Sequence, residues 1–178
     1  MYRVTTGLHI HFAHHVRGHD GPCISLHGHT WLFRVTLEAK VLDRQGFVLD
    51  FDVLHARVLE PCHRLLDHSL ALGHKSYEEN RAALTELGRG LVSSRKETLG
   101  DLGTPQAALE GELAGARNER PGGIKVAVFP FTPTSERLAE WLYEAARARL
   151  SDERVRVAKA EVLETLHPTE SLAEYCGD

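Results

Sequence analysis

The chain has 178 residues, 42% of them hydrophobic and 26% charged, the make-up of one ordinary globular domain with a core of its own. Its net charge of -4 with histidines neutral argues against a non-specific nucleic-acid binder, and no apolar run approaches the ~18 residues of a membrane span. The first residues, Met1-Tyr2-Arg3-Val4-Thr5-Thr6, contain no apolar signal core, and three widely spaced cysteines, Cys23, Cys62 and Cys176, suit the reducing cytoplasm better than a disulfide framework. Residues 2–12 carry Val4, Leu8, Ile10 and Phe12 on even positions, a one-sided period of two that predicts a half-buried strand. A loop over residues 16–26 follows, marked by Gly18, Gly21 and Pro22. Over residues 29–41 the alternation is cleaner. Trp31, Phe33, Val35, Leu37 and Ala39 share one face, with Thr30, Arg34, Thr36, Glu38 and Lys40 on the other, so a second strand is expected to pair with the first.

After the turn at Gln45-Gly46, Phe51, Leu54, Val58, Cys62 and Leu65 recur at spacings of three and four. That pattern predicts a helix capped by Asp50 or Asp52 and kinked or locally broken at Pro61. Residues 124–131 read as a strand ended by Pro130. Ser135–Leu150 reads as a helix with Thr134 as N-cap, Glu136 in its first turn, and Leu138, Trp141, Leu142 and Ala145 as its buried stripe. Residues 155–164 read as a β region and residues 172–175 as a last short strand. Residues 73–123, rich in Gly, Ala, Glu, Arg and Leu, read as a partly helical insertion in one domain spanning 1–178. Helices are expected there at 77–91 and 105–116; the alternative is that the segment simply completes the core.

The twelve histidines are a heavy load of the side chain that most often binds metals and shuttles protons. His27-Gly28-His29 leads into the second strand. Residues i and i+2 of an extended chain project from one face, so both imidazoles can reach one metal ion at ~2.0–2.1 Å per zinc–nitrogen bond. His14 shares the parity of Leu8, Ile10 and Phe12, and faces the pair if the two strands are adjacent. Three histidines with an open fourth position is a pattern of catalytic zinc. A single His-x-His is more often two ordinary histidines, and His9, His11, His15 and His19 crowd the same region. Cys23 has two readings: a fourth ligand closing a structural zinc site, or a thiolate base beside the metal. Asp67-His68 places a carboxylate next to an imidazole, a pairing able to orient the ring and relay protons. Glu164 ends an apolar β run and is a candidate ligand anchor. Cys62, on a helix face, and Cys176 read as residues without a chemical role.

Taken in order, these blocks resemble the 6-pyruvoyltetrahydropterin synthase family. The resemblance rests on Ala13-His14, Cys23-Ile24-Ser25-Leu26-His27-Gly28-His29, Gly46-Phe47-Val48-Leu49-Asp50-Phe51, Leu66-Asp67-His68, Pro133-Thr134-Ser135-Glu136-Arg137-Leu138-Ala139 and Leu163-Glu164-Thr165. It implies an α+β tunnelling fold, with an antiparallel four-stranded sheet and two helices on one face. It further implies a homohexamer built as a dimer of trimers, with active sites between subunits. Zinc would sit on His14, His27 and His29; Cys23 would be the catalytic base, and Asp67 with His68 the proton relay. Glu164, with Thr134 and Ser135, would bind the pterin substrate.

Two branches of the family act on 7,8-dihydroneopterin triphosphate. One eliminates triphosphate to give 6-pyruvoyltetrahydropterin. The other forms 6-carboxy-5,6,7,8-tetrahydropterin with loss of acetaldehyde and triphosphate, toward queuosine and other 7-deazapurines. The short spacing from Cys23 to His27 resembles the carboxy branch. Ser69-Leu70-Ala71-Leu72 departs from the Leu-Asn pair the family usually carries after Asp-His, and the following loop is much longer. Two other readings stand beside the enzyme: a pterin- or purine-binding homologue without catalysis, and a structural zinc module. His9, His11, His15, His19, His55, His63, His74 and His167 receive no role.

Overall fold

The computed structural model describes residues 1–99, 111–165 and 170–177. Strand β1 (Tyr2–His14) and strand β2 (His27–Ala39) pair antiparallel along their whole length, from Tyr2 opposite Ala39 to His14 opposite His27. Trp31, Phe33, Val35, Leu37 and Ala39 are all buried, as the alternation of β2 requires. Both strands run two residues beyond the alternating stretches at the histidine end, so His14 and His27 lie in paired strand together with His29. At its other end β2 stops at Ala39, and Val41 is exposed.

The expected first helix is α1 (Phe51–Leu54), a wide π-helical turn (His55–Leu59) and α2 (Glu60–Leu66) in one continuous run. The Asp50 carboxylate accepts from the Asp52 N–H at 2.9 Å and caps it. Pro61 offers no N–H and its ring crowds the preceding turn. The wide turn just before it, in which the Glu60 N–H reaches the His55 carbonyl, makes room without ending the helix. Leu54, Val58, Leu59, Cys62, Leu65 and Leu66 are buried; Phe51, expected on that face, is exposed.

Strand β3 (Leu70–Gly73) lies parallel to β1, and helix α3 (His74–Leu99) follows directly. Strands β4 (Glu112–Leu113) and β5 (Ala116–Glu119) form a hairpin. Ala114 and Gly115 between them have φ of 47° and 80°, the two-residue turn that suits a twisted hairpin. The helix expected over 105–116 is therefore corrected from Glu112 onward, while 105–110 lie outside the described residues. Strand β6 (Val126–Phe129), helix α4 (Ser135–Leu150), strand β7 (Val155–Thr165) and strand β8 (Ser171–Tyr175) complete the fold. The Thr134 hydroxyl caps α4, accepting from the Arg137 N–H at 3.3 Å.

Among the described residues the sheet has eight strands in the order β4-β5-β6-β3-β1-β2-β7-β8. The four antiparallel strands expected are β1, β2, β7 and β8. The sheet does not end there, because β1 takes β3 as a parallel neighbour and β6 pairs parallel with β3. Two strands of this extension, β4 and β5, come from the segment read as an insertion.

The helices also differ from the expected pair on one face. Helices α1, α2 and α4 share one core with the odd positions of β2 and with Ala71, Ala127 and Phe129. The alternate residues Leu72, Val126 and Val128 point to the other face, where Tyr77 and Leu84 of α3 cover them. Side chains of β3 and β6 are apolar on both sides, so a helix is needed on each.

Candidate active site

The antiparallel register puts His14 of β1 directly opposite His27 of β2, and His29 projects from the same face two residues on. The ring centroids lie 4.5 Å apart for His14 and His27, 5.0 Å for His27 and His29, and 5.5 Å for His14 and His29. Trp31 forms the floor, its ring 4.9 Å from that of His14 and 5.3 Å from that of His29. It is held by stacking on Phe12 at 4.6 Å and by donating its indole N–H to the Phe12 carbonyl. His14 Nδ1 lies 2.9 Å from the Pro133 carbonyl oxygen, and His27 Nδ1 lies 2.8 Å from that of Ser25. A carbonyl only accepts, so the proton of each neutral ring sits on Nδ1 and its Nε2 lone pair is presented to the site.

Glu164 reaches the same point from β7. Its Oε1 is 3.1 Å from His14 Nε2 and 3.7 Å from His29 Nε2, and its Oε2 accepts from the Ser135 hydroxyl at 3.3 Å. One ligand atom from each of His14, His27, His29 and Glu164 falls within 4.8 Å of the others, so these four side chains can hold a metal ion. When the rings are protonated, a hydrogen bond from His14 Nε2 holds the Glu164 carboxyl below its ordinary range, against the opposing effect of burial; the charges of His14 and His29 in that state and the Ser135 hydroxyl act in the same direction. Burial is the main cause that pushes His29 down and keeps its imidazole neutral, the form that binds metals.

Asp67 and His68 gather at a second point, where the end of α2 meets His11 in the last third of β1. Asp67 Oδ2 is 2.7 Å from His68 Nδ1, and Oδ1 accepts from the His11 N–H at 3.2 Å. The His68 N–H in turn donates to the His11 carbonyl at 2.8 Å. Both relay candidates are thus clamped to one residue of β1. His63 Nε2 stands 3.6 Å from Asp67 Oδ2, one helical turn earlier. Burial pushes the Asp67 carboxyl up, but the His68 hydrogen bond, the His11 N–H and the charges of His63 and His68 outweigh it and hold it low. His68 has a φ of 56°, a left-handed conformation uncommon for a residue with a Cβ, and its ring is exposed.

Cys23 lies in the short turn Pro22–Ile24, with its carbonyl accepting from the Val16 N–H at 2.8 Å. Its thiol is partly buried and free. The same loop is tethered to α3 by a two-pronged ion pair between Arg17 and Glu79, with Nη2 to Oε1 at 2.8 Å. Burial pushes the Cys62 thiol up and keeps it protonated. The four-member histidine and glutamate group does not include Cys23.

Of the residues expected from sequence, His14, His27, His29, Glu164 and Ser135 come together; Thr134 is adjacent as the cap of α4; Asp67 and His68 form the separate pair on His11. Sequence reasoning missed Lys125, whose ammonium donates to the carbonyls of Arg64 at 2.7 Å and Asp67 at 2.8 Å and so ties down the turn bearing His68. It also missed the Arg17–Glu79 tether. Neither has a local signal, since each joins segments far apart in the chain.

The model of the 6-pyruvoyl tetrahydropterin synthase family matches residues 3–176. The chain belongs to this family. A protein of Bacillus subtilis (strain 168) named 6-carboxy-5,6,7,8-tetrahydropterin synthase is 31% identical over 80 residues, covering 44% of this chain and 52% of the relative. A protein of Aquifex aeolicus (strain VF5) with the same name is 26% identical over 158 residues, covering 86% of this chain and 75% of the relative. The chain thus spans about half the length of most of the curated relatives it matches.

Among solved structures, an uncharacterized protein, WS1659 from Wolinella succinogenes, superposes with a TM-score of 0.69 at 23% identity, covering 99% of this chain and 98% of its own. The 6-pyruvoyl tetrahydropterin synthase of Caenorhabditis elegans superposes with a TM-score of 0.53 at 18% identity, covering 100% and 98%. These likenesses show the fold, which is the α+β tunnelling fold expected from the sequence blocks, here carried on a longer sheet. No helix among the described residues is long and apolar enough to cross a membrane.

Proposed function

We propose that the protein is a zinc-dependent 6-carboxy-5,6,7,8-tetrahydropterin synthase. It converts 7,8-dihydroneopterin triphosphate to 6-carboxytetrahydropterin with release of acetaldehyde and triphosphate, toward 7-deazapurines such as queuosine. The observation that carries this reading is the convergence of one ligand atom from each of three imidazoles and one carboxylate within 4.8 Å of one another in a chain of this family. Imidazole and carboxylate donors suit zinc, and two of the rings have their tautomer set by backbone carbonyls. Relatives named for the carboxy product favour that branch.

In this reading His14, His27 and His29 hold the zinc. When bound, the ion lowers the cost of removing protons from the hydroxyls of the substrate side chain and from the adjoining carbon. The Cys23 thiolate takes a proton from that side chain. Asp67 orients the His68 ring, whose far nitrogen gives or takes a proton at solvent-accessible reach. Glu164 accepts hydrogen bonds from the guanidine-like edge of the pterin, and Thr134 and Ser135 at the start of α4 complete that contact. The exposure of His68 suits a group that serves a site shared with a neighbouring subunit, consistent with a homohexamer with interfacial sites. Three free cysteines support a cytoplasmic enzyme.

Incubation of the purified protein with 7,8-dihydroneopterin triphosphate, followed by mass spectrometry, tests the proposal. The expected products are 6-carboxytetrahydropterin and acetaldehyde. A pyruvoyl product refutes the choice of branch, and absence of turnover by zinc-loaded protein refutes the catalytic reading.

A further inference from the structure

We infer that Glu164 is an exchangeable fourth ligand. Without substrate its carboxylate closes the metal position formed by His14, His27 and His29, and it gives up that position when it turns to hold the pterin ring. The inference rests on the proposed zinc and pterin assignments and concerns how one side chain serves both.

The geometry around Glu164 shows the conflict. A tetrahedral zinc site with ~2.0–2.1 Å bonds has neighbouring ligand atoms about 3.3 Å apart. Glu164 Oε1 stands 3.1 Å from His14 Nε2 and 3.7 Å from His29 Nε2, the spacing of a co-ligand. Its other oxygen is engaged by the Ser135 hydroxyl at the first turn of α4, where the helix favours negative charge. Both oxygens are thus in use inside the site. A guanidine-like ring edge presents parallel N–H donors and calls for both carboxylate oxygens at once. Glu164 therefore cannot keep the metal position and bind the ring in that way.

The side chains differ in freedom to move. His14 is completely buried and locked by the Pro133 carbonyl, and His27 is locked by that of Ser25. Glu164 is about one-quarter exposed on a flexible stem, and no backbone group holds it in the way the carbonyls hold His14 and His27: its contacts are the Ser135 hydroxyl and the His14 and His29 rings. His14 and His27 form a fixed frame and the carboxylate is a movable member beside it. Closure in the resting protein raises metal affinity, and its release couples opening of the fourth position to arrival of the correct ring.

Metal binding and spectroscopy test this without recourse to turnover. Zinc affinity is measured by competition with a chromophoric chelator for wild type, Glu164→Gln and His29→Ala, with thermal melts to confirm folding. Glu164→Gln keeps the shape and a hydrogen-bond acceptor for Ser135. It is expected to weaken zinc binding by at least the ~10–100-fold that loss of an outer-shell partner costs. In the cobalt-substituted wild type, a pterin without the hydroxylated side chain is expected to change the visible ligand-field bands as Glu164 leaves; in Glu164→Gln the same pterin is expected to leave them unchanged. Equal zinc affinity in wild type and Glu164→Gln, with unchanged cobalt bands on adding pterin to wild type, overturns the inference. If His29→Ala still loses zinc in that case, the three-histidine site stands and only the exchange fails. If His29→Ala also binds as wild type does, the metal assignment falls with it.

Discussion

Lys125→Met isolates the tie that the sequence did not reveal. The substitution keeps an unbranched stem of similar length and removes the ammonium that bridges the carbonyls of Arg64 and Asp67. These carbonyls lie at the C-terminal end of α2, where the last backbone acceptors have no partner within the helix. A hydrogen bond to a charged group contributes about 1.5–3 kcal/mol net. Arg64, Asp67 and Lys125 are only half-buried, so water can replace part of what is lost, and the pair of bonds is expected to stabilise the fold by about 1–3 kcal/mol in total.

Urea unfolding reads this directly. With a slope of ~1–3 kcal/mol per molar, the midpoint should fall by about 1 M. Steady-state kinetics with the pterin substrate reads the functional half. The turn that Lys125 holds carries His68, so kcat should fall by more than KM rises. An unchanged midpoint refutes the energetic reasoning. A lowered midpoint with unchanged kcat shows that Lys125 stabilises the fold without positioning the relay.

His68 adopts a left-handed backbone conformation, so His68→Gly should leave stability unchanged or raise it by up to about 1 kcal/mol while abolishing turnover; a substantial loss in thermal melts would show that its bond to Asp67 outweighs the strain. Trp31→Ala should cost about 3–5 kcal/mol and weaken zinc binding, because the ring is completely buried against His14 and His29; a chelator titration equal to wild type in the folded variant would refute its role as the floor of the site. The Arg3 hydrogen bond, with the charges of Arg3 and Arg156, outweighs burial and holds the Glu38 carboxyl below its ordinary range. The stability this contributes is present at neutral pH and is lost as pH falls through the folded-state value. Glu38→Gln should therefore lower stability at pH 7 and flatten the fall of stability below about pH 4.5; parallel pH profiles for variant and wild type would exclude Glu38 as a source of acid lability. Cys23→Ala should keep zinc and lose turnover, and loss of zinc on that substitution would favour a closed structural site.

Much of this protein was legible in the chain. The alternation along β2 set which side chains enter the core, and the i, i+2 spacing of His27 and His29 required them to share a face whatever the rest of the fold did. The parity of His14 pointed to the same place, and the caps at Asp50 and Thr134 were readable because capping is a local interaction. The extension of the sheet was not. Leu70–Gly73 and Val126–Phe129 are short apolar runs, and a run of four residues does not announce its neighbours or their direction. The hairpin at Ala114-Gly115 lay in a stretch whose composition suits a helix, and pairing of β5 with β6 prevailed over that local preference.

What the sequence determined by itself was the chemistry on offer: three imidazoles at strand spacing, a thiol ahead of them, a carboxylate–imidazole pair, and a glutamate ending a strand. Only the tertiary structure decided how these groups are divided. Register brought Glu164 and Ser135 onto the three histidines, while the end of α2 and the backbone of His11 drew Asp67 and His68 to a point of their own. The physical reason is that side-chain direction follows from local backbone period, whereas which groups meet depends on strand pairing and helix packing between residues distant in the chain.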